Sequence, residues 1–497
     1  VKLRELIEAA GAGDVRGDGG VEIADLAYDS RRAGPGTLFF CVVGERADGH
    51  DFASAAVGRG AAALVVERPL PELDVPQVEV ADARAAMAPI AARFHGDPTA
   101  ELRVAGVTGT NGKTTTAFLI RDVLEAAAIQ CGLLGTVKQV VGAVEEEVER
   151  TTPEAIDLQA TFRRMLEGGD RACSMEVSSH ALALHRVDAI RFELALFTNL
   201  TQDHLDFHGD MEDYFLSKRK LFETGPEVAV VNVDDPYGRR LADEFECLTF
   251  SAEGMAADFS ARSVRFDASG AAFTVAVSPT GLEVEHEATF RPVGEIEVDV
   301  PLPGHFNVSN ALGAFAATTA LGVDPQAAAS GLARAGRIPG RFEPVDEGQR
   351  FTVLVDYAHT PDSLENVLRA ARRLSEGRVI SVFGAGGDRD RDKRPKMGRA
   401  GAEGSDLAIV TSDNPRSEDP GAIIAEILAG IDEHGDVEVE PDRQAAIALA
   451  LERARPGDSV VIAGKGHEPG QEFENGRKIP FDDREVAREA LRALAGR

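Results

Sequence analysis

Two spacings of apolar residues alternate along the chain. Short apolar runs bounded by Gly, Asp or Pro give way to longer stretches with apolar positions every three to four residues. These are the marks of buried strands and of helices with one packed face. Up to residue 100 the runs LFFCVVG (38–44) and AAALVVE (61–67) predict strands, and HGDPTA (95–100) reads as turn chemistry. A new buried strand begins at LRVAGVTG (102–109). From there to about residue 335, VAGVT, ELALFTNL and VAVVNVD alternate with helical patterns such as TTTAFLIRDVLEAAA, which predicts a parallel sheet covered by helices. The interval 249–298 differs, because AAFTVAVSP and LEVEHEATF predict a local antiparallel insertion. After a Pro-Gly turn in RIPGRFEPV (337–345), a fresh α/β series follows: FTVLVDYAH, SLENVLRAARRL, RVISVFGAGG, DLAIVTSD and SVVIAGKG. Each of its strands ends in a polar, Gly-rich loop, where open α/β sheets place ligands. Three α/β domains are expected, at 1–100, 101–337 and 338–497.

Composition narrows the class. The 497 residues carry 53 Lys+Arg against 83 Asp+Glu, a formal charge of −30, with 43% hydrophobic residues. That apolar content builds several cores and excludes a disordered chain. No run of 18 apolar residues occurs, so no membrane-spanning helix is expected. The segment VKLRELIEAAGAGDVRG is amphipathic, without the apolar core of a secretory signal. Four cysteines, none closely spaced, argue against a disulfide or zinc framework and fit a reducing cytoplasm. The acidity disfavours nucleic acid, since no basic stripe is present to displace phosphate counterions. A monomer is the working expectation.

The segment GVTGTNGKTTT, Gly106 to Thr116, follows a strand and opens a helix. Glycines let backbone N–H groups close on phosphate oxygens at a helix N-terminus. Lys113 is placed to reach the outer phosphates and the Thr114 hydroxyl to ligate magnesium. The strict G-x-x-x-x-G-K-[ST] pattern is not met, because Val107 stands at its first position. Nucleoside triphosphate binding is the expectation; the reaction stays open at this point.

The run TGTNGKTT (108–115) resembles the phosphate loop of the Mur ligases and their folylpolyglutamate synthase relatives. Further matches are Asp29-Ser30-Arg31, Thr151-Thr152-Pro153, EVSSH (176–180), NLTQDH (199–204), His208, Lys218, GHFN (304–307), Pro339-Gly340-Arg341, DYAH (356–359), DNPR (413–416) and GKGHE (464–468). The motifs are several and ordered along nearly the whole chain. The resemblance implies the three-domain Mur ligase fold: a central P-loop ATPase domain with a parallel sheet and a C-terminal Rossmann-like α/β domain. It further implies the branch that joins meso-2,6-diaminopimelate to UDP-N-acetylmuramoyl-L-alanyl-D-glutamate, with ATP, two magnesium ions and carbon dioxide held as a lysine carbamate. A lysine-adding ligase, a folylpolyglutamate synthase-like ligase and an inactive nucleotide-binding regulator are the competing readings.

By the same resemblance, Gly109, Thr110, Asn111, Gly112, Lys113, Thr114, Thr115, Asn307, Arg341 and Asp356 are expected to contact ATP, with His359 close by. Lys113, Glu176, His204 and Lys218 form the expected catalytic set. Thr114, Glu176, His204 and carbamylated Lys218 are the expected metal ligands. Each has a plainer reading: Glu176 as a capping or solvated acid, Lys218 as part of a solvated helix face, Asn307 as a helix N-cap. His204 with His208 could also share a helix face in a zinc site, although no third ligand is evident. Tyr28, Ser30, Glu45, Arg46, Ala47, Thr151, Thr152, Ser178 and Arg186 are expected on the nucleotide–peptide substrate. Leu184 stands where many relatives carry glutamine, so one hydrogen bond there is missing or replaced. Arg389, Asp413, Asn414, Pro415, Arg416, Gly464 and Glu468 are expected on diaminopimelate. Arginine can grip its distal carboxylate bidentately, and Asp413 or Glu468 can pair with the adjacent ammonium. A lysine substrate would leave Arg416 unpaired, a cost on the order of several kcal/mol. Without its surroundings, DNPR would read as an Asx turn stopped by proline.

Overall fold

The computed structural model describes all residues except 45–46, 149, 279–293, 433–434 and 496–497. The expected contacts Glu45 and Arg46, and the LEVEHEATF part of the insertion, lie outside the described residues. The chain forms two compact units. The first comprises 1–108, 128–196 and 217–229, and the second 109–127, 197–216 and 230–497.

The first unit opens with helix Leu3–Ala10, closed by Gly11 in the left-handed conformation (φ 64°). Its N-terminal sheet has five strands in the order Asp14–Arg16, Gln77–Glu79, Ala61–Val66, Thr37–Phe40, Asp25–Ala27. All neighbours are parallel except the first pair. Leu3, Leu38, Val65, Met87 and Ile90 fill one face and Phe39, Leu64 and Val66 the other. Six strands of an eleven-stranded sheet follow in the order Val144–Glu146, Gln139–Val141, Cys131–Leu134, Ala172–Glu176, Arg103–Thr108, Phe192–Phe197. Ala172–Glu176 is parallel to both of its neighbours. That puts Glu176 beside Val107 at the carboxyl edge of these strands.

In the second unit, Val230–Asn232, Leu248–Ser251 and Phe259–Asp267 run parallel. Gly270–Val277 and Ile296–Val300 then add antiparallel, as the alternating pattern of 249–298 anticipates. The C-terminal sheet has the order Glu343–Pro344, Thr352–Asp356, Ser459–Ala463, Val379–Phe383, Leu407–Val410, Val437–Val439. Only its first strand is antiparallel. Helices cover both faces, with Leu364, Leu368, Met397 and Ile427 on one side and Ile447, Leu451, Ala487 and Leu491 on the other. Burial on both faces is why these strands read as continuous apolar runs. The register aligns Asp356 with Ala463 and Phe383 with Val410. The loops DYAH, GKGHE, GAGG and SDNPR therefore leave one edge together. Among the described residues no helix is long and apolar enough to cross a membrane.

Candidate active site

The phosphate loop lies between strand Arg103–Thr108 and helix Lys113–Ala126. Gly109 (φ +143°) and Gly112 (φ +86°) hold conformations that favour glycine, and a Cβ on them would strike Thr198 Oγ1 and Asn310 Oδ1 respectively. The loop is tied from behind. Asn199 accepts the Thr110 N–H on its backbone oxygen (2.8 Å) and the Asn111 N–H on Oδ1 (2.9 Å), while Thr198 Oγ1 donates to the Asn111 carbonyl (2.6 Å). Lys113 Nζ donates to the carbonyls of Gly109 (3.0 Å) and Thr110 (2.8 Å). Arg341 Nη2 donates to Thr114 Oγ1 (2.9 Å), and its guanidinium lies 4.5 Å from the Tyr357 ring centroid. A glycine cradle that any Cβ would fill, at the N-terminus of a 14-residue helix, fits a phosphate chain.

Asp356 supports this arrangement from below. Its oxygens accept the Phe342 N–H (2.6 Å) and the Ala358 N–H (2.7 Å). Burial raises its carboxyl above the ordinary value against the pull of Arg341 and those two donors. Asn307 is not a helix N-cap. Gly304 takes that position and Asn307 lies inside helix His305–Ala320, where Nδ2 donates to the Pro303 carbonyl (2.8 Å) and Oδ1 accepts from Asn310 (3.2 Å). Gly304 can hold φ +99°, which asparagine does at a cost.

Around His204 the structure replaces the helix-face idea with a turn. His204 has φ +54°, and the His208 N–H closes on its carbonyl at 2.9 Å outside any helix. His204 Nε2 lies 3.3 Å from the buried carboxylate of Asp203, which also faces Lys393 Nζ (3.4 Å) and His359 Nε2 (3.6 Å). Burial alone would raise the Asp203 carboxyl. Lys393, His204 and His359 outweigh it and hold the group well below the usual carboxylate range. No cluster of three or more His, Cys, Asp or Glu side chains suited to a metal occurs among the described residues. A magnesium site would draw on hydroxyl and carboxylate oxygens as well, and Thr114 and Glu176 are of that kind.

In the first unit, Glu176 ends its strand and is 1% exposed. It accepts from the Thr136 N–H (2.7 Å) and hydroxyl (3.2 Å), and Gly135 is glycine because a Cβ would strike Glu176 Oε1. This is a buried, oriented carboxylate, neither solvated nor capping a helix. Thr136 and Thr151 share a hydroxyl–hydroxyl hydrogen bond (2.9 Å). Thr152 donates to the Glu176 carbonyl (2.9 Å) and accepts from the Ser178 N–H (3.1 Å); Ser178 caps the next helix through Ala181 N. Tyr28 donates to Asp157 (2.7 Å) beside Ser30, the first residue of a short 3-10 turn. Lys218 belongs to helix Met211–Glu223 and is 1% exposed, so it is not on a solvated face.

At the C-terminal edge of the last sheet, the expected amino-acid loops interlock. Asn414 accepts from Lys465 Nζ (2.9 Å) and Glu472 N (2.9 Å) and donates to Glu468 (2.8 Å), so its side chain bridges loops from within. Lys465, fully buried, also donates to Glu468 (3.0 Å). Asp413 is buried against Arg443 and Lys465. Burial raises its carboxyl and the two cations more than offset that, leaving it low. Any Cβ on Gly464 would hit Asp413 Oδ2. Arg416, at φ +52°, donates Nη1 to the Gly387 carbonyl (2.7 Å) and Nε to Glu472 (3.2 Å). It is therefore already paired, which the sequence reading did not foresee. Arg389 is exposed and donates to the Asp388 carbonyl (3.1 Å). Asp203, Lys393, Arg443, Lys465 and Glu472 were all missed as site residues. Asp203 and Lys465 lie inside the NLTQDH and GKGHE runs, whereas the sequence signal of Lys393, Arg443 and Glu472 is only a charge next to an apolar or Gly-rich run.

Comparison with known proteins adds an independent finding. Family models match residues 22–95 (Mur ligase family, catalytic domain), 107–318 (Mur ligase middle domain) and 340–466 (Mur ligase, glutamate ligase domain). The chain is 48% identical to the UDP-N-acetylmuramoyl-L-alanyl-D-glutamate–2,6-diaminopimelate ligase of Streptomyces coelicolor, over 96% of this chain and 94% of that one. With the enzyme of the same name from Clostridioides difficile the identity is 42%, covering 99% of each. A solved structure of a ligase of that name covers 100% of this chain and 99% of its own, with 31% identity and a TM-score of 0.69.

Proposed function

The chain belongs to the Mur ligase family and has its three-domain α/β fold; on that premise we propose that it is the ATP-dependent ligase joining meso-2,6-diaminopimelate to the D-glutamate γ-carboxylate of UDP-N-acetylmuramoyl-L-alanyl-D-glutamate. The reading places it in peptidoglycan precursor synthesis, as a monomer in the cytoplasm. The observation that carries it is the near full-length 48% identity to a relative of that name. The domain limits 1–100, 101–337 and 338–497 belong to the same proposal, and the family matches at 22–95, 107–318 and 340–466 support them.

The reaction has two steps. A γ-carboxylate oxygen attacks the terminal phosphorus of ATP, ADP leaves, and an acyl phosphate forms. The free amine of diaminopimelate then attacks the acyl carbon, the C–O bond to phosphate breaks, and inorganic phosphate departs. Positioning and charge neutralisation dominate such phosphoryl transfer. Glycine-shaped backbone from Gly109 to Gly112 receives the phosphates, and Lys113 exchanges its loop carbonyls for phosphate oxygens. Arg341, braced on Tyr357 and held through Asp356, is set beside Thr114 to add positive charge. Magnesium, when bound, neutralises charge on the phosphates; Thr114, Glu176, His204 and carbamylated Lys218 are the proposed ligands. The burial of Lys218 supports the carbamate, since a lysine shielded from water loses its proton more readily.

Arg416 and Glu468 are the proposed selectors of the amino acid. Because Glu472 already pairs with Arg416, a lysine substrate does not strand a bare cation. Discrimination then reflects one charge-assisted interaction gained by diaminopimelate, roughly tenfold to a hundredfold in kcat/KM. The test is phosphate release. It should require both UDP-muramoyl dipeptide and meso-diaminopimelate. Hydrolysis of ATP without them would refute the ligase reading, and equal kcat/KM for L-lysine would refute the choice of amino acid.

A further inference from the structure

Around Arg186, expected on the nucleotide–peptide substrate, the first unit holds a charge cluster that draws in residues outside the expected contacts. Glu154 is 5% exposed and precedes helix Ala155–Glu167 without making a side-chain cap. Its carboxylate instead gathers three guanidinium groups. Arg84 Nη1 donates to Oε2 (3.1 Å), Arg150 Nη1 donates to Oε1 (2.7 Å), and Arg186 Nη2 lies 3.0 Å from Oε1. Arg186 also donates Nη1 to the Thr152 carbonyl (3.0 Å), while its Nε is buried with no hydrogen-bond partner among the described residues. Three guanidinium groups around one carboxylate leave a formal excess of two positive charges. Arg150 is half exposed at its side chain, but Arg84 is 21% exposed and Arg186 only 14%, so water screens the charge of these two incompletely. Burial lowers the Arg186 pKa, Arg150 and Arg84 lower it further, and Glu154 opposes them. The cluster is thus two negative charges short of balance. An arriving oxyanion offsets that charge excess.

We propose that Arg84, with Arg186 and Arg150, forms an oxyanion receptor for the nucleotide–peptide substrate, and that Glu154 is the positioning residue that holds the three guanidinium groups together. This rests on the substrate assigned under the proposed function. A carboxylate of the dipeptide and the diphosphate of the nucleotide present the same chemistry to it. In either case Arg84 contributes binding, through planar charge-assisted hydrogen bonds, and takes no part in phosphoryl transfer.

The test uses the full chain with Arg84→Met and Arg84→Lys. Arg84→Met should raise KM for UDP-muramoyl dipeptide about tenfold, the scale of one charge-assisted hydrogen bond. KM for ATP and for diaminopimelate, kcat and the thermal midpoint should stay within twofold or within error of the parent. Arg84→Lys should recover part of the affinity, and the rise of KM with salt should be less steep in Arg84→Met. Calorimetric titration with UDP identifies the oxyanion. Unchanged UDP affinity in Arg84→Met assigns the peptide carboxylate, and weakened UDP affinity assigns the diphosphate. An unchanged KM for the dipeptide substrate, or equal rises for all three substrates, would overturn the receptor. If the parent protein itself shows no saturable dependence on UDP-muramoyl dipeptide, the proposed function has failed instead.

Discussion

Replacing Asp483 by Asn tests how the amino-acid loops are held. Arg443 begins helix Arg443–Arg453, Asp483 begins helix Asp483–Ala495, and both side chains are fully buried. They pair in a fork, Nε to Oδ1 at 2.8 Å and Nη2 to Oδ2 at 2.7 Å. The same guanidinium donates to the Ala463 carbonyl (2.9 Å) and the Ser412 carbonyl (3.4 Å), the residues just before Gly464 and Asp413. One ion pair therefore fastens the starts of two loops expected to bind diaminopimelate. Asp483→Asn keeps the shape and leaves a buried guanidinium whose nearest remaining carboxylate is Asp413 at 3.9 Å. Breaking a buried pair in this way costs about 3–5 kcal/mol. Arg443→Met should cost a similar amount, because it strands Asp483. The double variant Arg443→Met/Asp483→Leu removes both charges and should cost less than the two singles together, with a coupling of at least about 2 kcal/mol. Urea unfolding followed by far-UV circular dichroism measures all three, and KM for diaminopimelate should rise in each single variant more than KM for ATP. Strict additivity, or single variants within about 1 kcal/mol of the parent, would refute the claim that this pair organises the loops.

Three other outcomes follow from the geometry. Gly109→Ala places a Cβ against Thr198 Oγ1 at a φ of +143°, so ATP-dependent phosphate release should fall below detection while far-UV circular dichroism stays unchanged. Lys218→Ala should lose activity and regain part of it with added short carboxylic acids; full activity without them would remove the carbamate from the proposal. Glu418 hydrogen-bonds to Arg394, and with the Asp388 N–H this holds its carboxyl at about 2 against burial, below its ordinary 4.5. A depressed carboxyl stabilises fully above pH 4.5 and loses that contribution as pH falls from 4.5 toward 2. Glu418→Gln should flatten that part of the acid-stability curve, and an unchanged curve would contradict the pairing.

Local pattern made much of this molecule legible. Buried parallel strands such as Val379–Phe383 and Ser459–Ala463 are short apolar runs ending in Gly-rich loops, and the phosphate loop combines a strand, glycines and a helix start within a few residues. Edge elements were harder to read. Val437–Val439 and the hairpin Gly470–Glu472 with Lys478–Pro480 are three residues long and half exposed, so they carry no run or period. His204 with His208 fits a helical spacing, yet the chain turns there with His204 at positive φ. The charged partners were hidden for a different reason. Lys393 reaches Asp203 across 190 residues, Lys465 reaches Asn414 across 51, and Arg443 reaches Asp483 across 40. Such pairs are products of the fold, and a buried lysine looks like a surface lysine until its surroundings are known.

Those pairings change how an acidic chain can bind polyanionic substrates. A net charge of −30 describes the exterior, and the expected binding cations are not bare in the interior either. Lys113 donates to its own loop carbonyls, Arg341 to Thr114, Arg416 to Glu472 and Gly387, and Lys465 to Asn414 and Glu468. Folding without ligand leaves no large unpaired charge to desolvate at these positions, which limits the cost of building the site. Each substrate oxyanion must then exchange for an internal acceptor, so each contact adds a difference between two hydrogen bonds, on the order of 1 kcal/mol, in place of a whole one. Affinity has to come from many such exchanges made together. The Arg84–Arg150–Arg186 cluster departs from this rule, since Glu154 supplies one carboxylate for three guanidinium groups. An anion arriving there would neutralise charge without displacing Glu154, and that gain is what the receptor proposed for the nucleotide–peptide substrate rests on.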